Sequence, residues 1–220
     1  MHEFDLMPPA LDRRPLCLLL HGHAQSGKDT VARYLHERYG FITESFARPL
    51  KRVVSIVFGI PQADMEDGAR KAQPCAFPWD HYTPRQLLQL VGTELFREHV
   101  SPDVWVQCLA SRMNRLWAAG FHLPLCITDC RFPNELTMPK QLMPQYRTAS
   151  VRIIRNLGPL VGGIPGHASE QDLRCDHTIT NYGTIEDLHE QLDLLLELTF
   201  GITPPADPRH VGIATPGEEF

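Results

Sequence analysis

The sequence predicts an α/β fold with a mostly parallel central sheet and helices on both faces. Three observations support this class: apolar runs of strand length alternate with segments of helical spacing, the first run is apolar throughout, and a glycine-containing loop joins it to a helix. The 220 residues, 43% of them hydrophobic, suit one domain with a sizeable core and exclude a wholly disordered chain.

The first half of the chain predicts two pairs of a strand followed by a helix. A buried strand is expected at 15–20, because a continuous apolar run is typical of a central parallel strand. Apolar residues at helical spacing predict a helix at 28–39, and Gly40 suits its C-terminal cap. A second strand is expected at 41–46 and a second helix at 49–58.

The second half begins with an insertion. Pro, Asp, Gly and Gln dominate residues 59–82, which predicts an irregular and functional segment. Thr83 followed by Pro84 then predicts the start of a helix that runs to about residue 99. The remaining expected elements are a helix at 101–119, a strand at 123–128, a short helix within 131–149, strands at 150–154 and 177–180, and a helix at 188–198.

Three segments are expected to lie outside the packed elements. They are an N-terminal tail at 1–14, a glycine-rich, lid-like segment at 156–170 and a flexible C-terminal tail at 201–220. No apolar run reaches the roughly 20 residues of a membrane span, and no secretion signal is visible, so we expect a cytoplasmic protein. The net charge of −5 argues against a nucleic-acid partner.

Residues 22–28 match the phosphate-binding loop G-x-x-x-x-G-K between a predicted strand and a predicted helix. Such a loop directs backbone N–H groups and a lysine at phosphate oxygens, and the helix dipole adds to the attraction. The alternative is a tight turn with a solvated lysine. The candidate nucleotide-binding residues are Gly22, Ala24, Gln25, Ser26, Gly27, Lys28, Asp29 and Thr30.

The residue after the loop lysine normally carries a hydroxyl that binds Mg²⁺, but here it is Asp29, followed by Thr30. A carboxylate is a good Mg²⁺ ligand, so Asp29 is our candidate metal ligand. Its alternative role is to complement the dipole of the following helix.

Two further candidates for the chemistry follow a later strand. Asp129 follows the apolar run at 123–128, where a phosphate-binding fold places a carboxylate beside Mg²⁺ or the attacking oxygen, and Arg131 lies two residues on. With Lys28 they form the predicted catalytic set. The alternative for Asp129 is a side chain that satisfies the turn before Pro133.

Several strings occur together in one order: SGKDT, FARPLK, TPRQLLQLVGTELFRE, DVW, DCRFPNE and HASE. In this order the sequence resembles the deoxynucleoside monophosphate kinases of tailed bacteriophages. The resemblance covers roughly 15–198 and implies a three-layer P-loop kinase domain at 15–200. It implies that this domain transfers the γ-phosphate of ATP, with Mg²⁺, to a deoxynucleoside 5′-monophosphate. It also implies that the diphosphate serves phage DNA synthesis in an infected cell.

The acceptor is expected to meet several cations and polar groups. Arg48 and Lys51 match the region that lies near the monophosphate in the resembling family. Steps of four residues put Arg85, Gln89 and Thr93 on one helical face. Arg155 is assigned to the nucleotide at the hinge of the lid. Trp105 could stack on a base, and a core position between Val104 and Val106 is its alternative. The complete substrate set is Arg48, Lys51, Arg85, Gln89, Thr93, Glu94, Trp105, Arg131, His167, Ser169 and Glu170.

The sequence leaves several alternatives open. A P-loop kinase of a hydroxymethylated pyrimidine in phage DNA, or of a small metabolite, has the same loop. A nucleotide-binding regulator that does not catalyse transfer also keeps it, although Asp129 and Arg131 argue for catalysis. Base preference and oligomeric state, including a homodimer, are not readable from one sequence.

Overall fold

Five strands form one parallel sheet in the order β2-β3-β1-β4-β5. The computed structural model describes residues 12–155 and 172–205. Because every strand runs the same way, all the carboxyl ends meet at one edge of the sheet. The predicted parallel α/β sheet is confirmed, and its strands are β1 (Leu16–His21), β2 (Ile42–Glu44), β3 (Leu125–Cys130), β4 (Arg147–Ile154) and β5 (His177–Thr180).

The helices connect these strands and cover both faces of the sheet. A π-helix at Leu90–Arg97 continues α4 directly, and a single 3₁₀ turn lies at Arg70–Ala72. The α-helices are α1 (Lys28–Tyr39), α2 (Ala47–Phe58), α3 (Gln62–Glu66), α4 (Pro84–Gln89), α5 (Val104–Ala118), α6 (Pro133–Leu142) and α7 (Ile185–Phe200).

Alternate side chains of β1 enter two separate cores. Cys17 and Leu19 pack with residues of α2, α4, α5 and α6, while Leu16, Leu18 and Leu20 pack with α1 and α7. Successive strand residues point to opposite faces, so an apolar run without alternation is what a strand covered on both sides needs. The molecule is therefore a three-layer sandwich with β1 at its centre.

The ends of two strands differ from the sequence-based expectation. β2 is shorter than 41–46, because the chain turns after Glu44 and the N–H groups of Phe46 and Ala47 bond to Asp129. β3 ends later than residue 128 and includes Asp129. A charged residue is tolerated inside the strand because these backbone donors satisfy its carboxylate.

The helix expected at 83–99 begins as predicted but changes its winding. Thr83 caps α4 by accepting a hydrogen bond from the Gln86 N–H, which confirms the start signal. From Leu90 the chain is a π-helix, which the sequence analysis did not predict. Gly92 lies there against Leu50, and its carbonyl accepts the indole N–H of Trp105 at 3.0 Å. Contacts with distant residues therefore accompany this winding, and π-helical segments are frequent at functional sites.

Other boundaries shift for local reasons. α5 begins at Val104 and not at residue 101, since Ser101 and Pro102 form the preceding turn. α7 begins at Ile185 because Thr184 and Asp187 form a reciprocal cap ahead of the apolar positions. The expected short helix is α6, β4 begins at Arg147, and β5 has the predicted bounds.

Some expectations fall outside the described residues. These are residues 1–11 of the N-terminal tail, the lid-like segment 156–170, and residues 206–220 of the C-terminal tail. The insertion at 59–82 is described, and it contains α3 and the 3₁₀ turn within otherwise irregular chain. None of the helices within 12–155 and 172–205 combines the length and the apolar character that crossing a bilayer requires.

We expect Trp105→Phe to lower the free energy of unfolding by about 1–3 kcal/mol, because the buried Gly92 carbonyl loses its hydrogen-bond donor. Urea denaturation measures this change. The matched control is Trp117→Phe, at a half-buried ring whose indole N–H bonds to no described residue, and its loss is expected to be smaller. Equal losses in the two variants would contradict the role assigned to the Trp105 N–H.

Candidate active site

The phosphate-binding loop links β1 to α1 at the carboxyl edge of the sheet, and it has no room for side chains at its two glycines. A Cβ on Gly22 would lie 2.4 Å from the Ile153 carbonyl oxygen, and one on Gly27 would lie 2.5 Å from the Asn181 side-chain nitrogen. Both glycines also have positive φ, 150° and 109°. The loop backbone can therefore approach its neighbours closely only with glycine at these positions.

Side chains from neighbouring strands hold the loop in place. Asn181, directly after β5, donates its amide N–H to the Ser26 carbonyl at 2.9 Å. His21, at the end of β1, bonds through Nδ1 to the Cys130 carbonyl at 2.9 Å and accepts the Leu173 N–H at Nε2. This pairing needs a neutral ring with its proton on Nδ1. Burial lowers the pKa of His21, which also favours the neutral ring.

Lys28 begins α1 with its ammonium group turned back over the loop. Nζ donates to the carbonyl oxygens of Gly22 and His23 at 2.7 and 2.6 Å. Burial, and next the positive charge of Arg131, lowers the Lys28 pKa to about 8. An anion at the N-terminus of α1 would relieve this unfavourable environment, because it offers Lys28 an opposite charge.

Asp129 is engaged by the backbone of another segment. Its two carboxylate oxygens accept the N–H groups of Phe46 and Ala47 at 2.8 and 2.9 Å, which ties β3 to the start of α2. The alternative expected from the sequence, a turn before Pro133, is satisfied instead by Glu135, which accepts the Arg131 and Phe132 N–H groups. Asp129 thus positions α2 at the site.

Cations converge beside this carboxylate. Burial, followed by the positive charges of Lys51, Arg131 and Arg85, lowers the pKa of Lys71 to about 8. Lys71, Arg85 and Arg131 form no ion pair with any residue of the described ranges. Together with Lys28 they make a run of positive charge that extends from the phosphate-binding loop into the insertion, as a site for phosphate groups requires.

Two of the predicted acceptor residues have protein partners. Arg48 forms an ion pair with Glu44 at 3.2 Å, and the buried Glu44 also bonds to Arg112 at 2.8 Å. Because Arg48 is paired with Glu44 at the end of β2, it is less available to a ligand than the sequence suggested. Lys51 pairs with Glu66 of the insertion at 3.4 Å. The positive charge of Lys51 nevertheless helps to lower the pKa of Lys71.

The polar residues predicted along the helix after Thr83 divide into two groups. Arg85, Gln89 and Thr93 are all half-buried, in agreement with a shared face, whereas Glu94 is exposed. Trp105 does not line this face. It is 4% exposed and packs near Phe96 in the core. The Trp105 ring is therefore not available to stack on a base.

The predicted hinge and lid are described only in part. Arg155 is exposed directly after β4. His167, Ser169 and Glu170 lie outside the described residues. Where the chain is described again, Asp172 pairs with Arg152 of β4 at 2.5 Å and with His23 of the phosphate-binding loop at 3.5 Å. Residue 172 therefore lies beside the loop.

For a metal, the described chain offers isolated carboxylates and no group of three or more His, Cys, Asp or Glu side chains. Asp29 is exposed in the first turn of α1, next to Lys28, and Thr30 is half-buried. Mg²⁺ usually takes one or two carboxylates and completes its shell with water and phosphate oxygens. Asp29 fits that requirement as a single oxygen ligand, while both oxygens of Asp129 already accept backbone N–H groups.

Sequence reasoning missed three residues of the site. Lys71 lies in an insertion with no clear periodicity, so no local signal marked it. Asn181 directly follows the predicted strand 177–180, and its position at a carboxyl end could have identified it. Glu135 stands four residues after Arg131 in the DCRFPNE string, and a Glu at the third helical position after Pro at the first could have indicated its bonds to backbone N–H groups. Its pairing with Arg97 joins distant residues, and no local pattern marks it.

Two curated proteins are similar in sequence. A protein of Acanthamoeba polyphaga mimivirus named deoxynucleotide monophosphate kinase is 31% identical, and the match covers 79% of this chain and 92% of that protein. The deoxynucleoside-5′-monophosphate kinase of Escherichia phage T5 is 27% identical, over 53% of this chain and 68% of its own length. No protein-family model matches the sequence.

Solved structures give a more distant likeness. The crystal structure of TT1252 from Thermus thermophilus has a TM-score of 0.44 at 19% identity, covering 85% of this chain and 100% of that one. The APS kinase of Mycobacterium tuberculosis has a TM-score of 0.38 at 15% identity, covering 83% and 97%.

We expect Asp129→Ala to lower the free energy of unfolding by about 1.5–3 kcal/mol, because two backbone donors of the α2 start lose a charged acceptor. Thermal or urea denaturation measures the change. Asp129→Asn keeps one oxygen and serves as the matched control, with a smaller expected loss. If Asp129→Ala were as stable as the parent, the carboxylate would not be what holds α2 against β3.

Proposed function

Because the chain belongs to the viral and phage deoxynucleotide monophosphate kinase family, we propose that it transfers the γ-phosphate of ATP to a deoxynucleoside 5′-monophosphate. The observation that carries this proposal is the run of cations from Lys28 through Arg131 to Lys71 and Arg85. Two phosphorylated molecules must be brought together in such a reaction, and repulsion between them opposes it. Lys71, Arg85 and Arg131 form no ion pair with a described residue, so their positive charge can offset that repulsion.

The phosphate-binding loop serves the donor. Its backbone N–H groups and the N-terminus of α1 bind the β- and γ-phosphates, and Lys28 exchanges the loop carbonyls for phosphate oxygens. Asp29 is the candidate ligand for Mg²⁺, which when bound neutralises charge on the β- and γ-phosphates. We assign Arg155, just after β4, to the donor nucleotide as well.

The acceptor lies on the insertion side of the same edge. Lys71 and Arg85 hold its phosphate, with Lys51 contributing charge from α2. Gln89 and Thr93 continue along the half-buried face of the helix and contact the nucleoside. His167, Ser169 and Glu170 lie outside the described residues, and we assign them to acceptor binding on the family resemblance alone.

Arg131 lies between the donor and acceptor parts of the site, since its positive charge lowers the pKa of both Lys28 and Lys71. It therefore contacts the phosphoryl group in transit. A phosphate monoester has a second pKa near 6 and is ionised at neutral pH, so the attacking oxygen needs no proton removed. Positioning and charge stabilisation then supply the catalysis, and Asp129 contributes by fixing α2.

We expect ATP and Mg²⁺ with dAMP, dGMP, dCMP or dTMP, each tested separately, to give ADP and a deoxynucleoside diphosphate by chromatography. Lys28→Met should lower kcat by at least about 100-fold, because a clamp on the transferred charge is lost. Lys140→Met, at an exposed lysine of α6, is the matched control and should retain parental activity.

A different result would redirect the assignment. ATP binding without transfer to any of these monophosphates would overturn the proposal. Transfer to a hydroxymethylated nucleotide alone would support a kinase of modified bases, and no transfer to any acceptor would support a nucleotide-binding regulator.

The acceptor assignment predicts proton uptake on binding. Lys71 has a pKa of about 8, and a phosphate dianion bound beside it raises this pKa. At pH 8.5 we therefore expect roughly half a proton or more to be taken up per acceptor bound, and acceptor affinity to fall as the pH rises above 8. Calorimetry in buffers of different ionisation enthalpy measures this uptake.

Lys71→Met should remove this uptake and raise the acceptor KM by roughly 10–100-fold, while the KM for ATP changes little. Lys140→Met is again the control. Uptake that persists unchanged in Lys71→Met would exclude Lys71 from the acceptor site.

A further inference from the structure

A buried ion pair between Glu135 and Arg97 is hydrogen-bonded to the backbone at Arg131. Glu135, on the first turn of α6, bonds through Oε1 to the guanidinium of Arg97, and the two side chains are 3% and 9% exposed. Its other oxygen, Oε2, accepts the N–H groups of Arg131 and Phe132 at 2.7 and 3.1 Å. A single carboxylate thus fixes the backbone at Arg131 and engages the last residue of the π-helix.

Arg97 is held from three directions. Besides Glu135, its guanidinium donates to the Pro102 carbonyl at 2.7 Å and lies 3.9 Å from the centroid of the Phe132 ring. These contacts join the π-helix, the turn before α5 and the start of α6. Two hydrogen bonds and one ring contact therefore determine the position of the Arg97 guanidinium.

Stability alone is a weak reason for such a pair. Removing two charges from water is costly, and well-packed apolar side chains in place of a buried ion pair are often as stable or more stable. What apolar residues cannot do is accept the Arg131 and Phe132 N–H groups while holding the end of the π-helix. Placement of the backbone at Arg131 is therefore the more specific consequence of the pair.

We infer that Arg97 and Glu135 are positioning residues that hold Arg131 at the transfer site and fix its distance from the acceptor-binding helix. The inference rests on the function proposed above. α4 and the π-helix carry Arg85, Gln89 and Thr93, and the π-helix ends at Arg97. The acceptor residues and Arg131 are therefore joined through one ion pair.

The test compares Glu135→Gln with a neighbouring contact that joins the same segments. The glutamine side chain of this variant would still offer one oxygen to the backbone donors, but its neutral amide cannot form an ion pair with Arg97. The matched control is Asn134→Ala, because Asn134 donates to the Pro102 carbonyl at 3.0 Å and to Asp103 at 2.7 Å without contacting Arg131. Arg97→Lys is the second variant, since it keeps the charge but loses the forked geometry.

We expect Glu135→Gln and Arg97→Lys to lower kcat by roughly 10–100-fold while the KM for ATP stays within about threefold of the parent. Circular dichroism and denaturation confirm that the assayed protein is folded. Asn134→Ala should lose stability without losing kcat. This split separates positioning from support of the fold, which would affect all three variants alike.

The outcomes distinguish the inference from the proposed function. If the parent transfers phosphate but folded Glu135→Gln and Arg97→Lys keep the parental kcat, the pair is structural only and the inference is overturned. If Glu135→Gln does not fold, Arg97→Lys decides by the same criterion. A parent that phosphorylates no acceptor overturns the proposed function, and the inference with it.

Discussion

Two carboxylates at the carboxyl edge of the sheet accept hydrogen bonds from backbone N–H groups, and the arrangement of the rest of the site depends on these bonds. Asp129 accepts two N–H groups from the start of α2, and Glu135 accepts two from the start of α6. Each carboxylate thereby joins secondary-structure elements. Asp129 is engaged by backbone groups, and Lys71, Arg85 and Arg131 form no ion pair with a described residue, so the charge of these three cations is available to a ligand.

A site of this kind has to be held together against its own repulsion. The lowered pKa values of Lys28 and Lys71 reflect burial first and the neighbouring positive charges next. Side chains on flexible segments would move apart under that repulsion. Here the pairing of β1 with β3 fixes the carboxyl ends of both strands. The hydrogen bonds of Asn181 and His21 fix the loop between β1 and α1. Lys28 and the backbone that carries Arg131 are consequently held in place by the fold, and such preorganisation is the condition for electrostatic catalysis.

The sequence predicted those features whose signals are local. The strand, loop and helix around residues 22–28 and the start of α4 at Thr83 depend on neighbouring residues, and the structure confirms both. The bounds of β5 were also predicted correctly. For the phosphate-binding loop, the order of residue types is the physical requirement itself, because only glycine fits at positions 22 and 27.

Features that depend on distant partners were missed. The π-helix occurs where Leu50 packs on Gly92 and Trp105 bonds to its carbonyl, and these contacts join residues far apart in the chain. The same contact accounts for the core position of Trp105, for which the sequence left base stacking and a core position open. Lys71 comes from an insertion whose packing no periodicity reveals. In each case tertiary contact, and not local preference, decides the outcome.

The charge distribution also bears on which anions can enter. The chain carries a net charge of −5, yet cations run from Lys28 to Arg85 along one edge of the sheet. A long polyanion extends beyond that edge, where the net negative charge of the protein opposes its binding. A nucleotide is small enough for all of its phosphates to lie within the positive region. Local positive charge in an acidic protein therefore favours free nucleotides over nucleic acid as the anions that meet at this site.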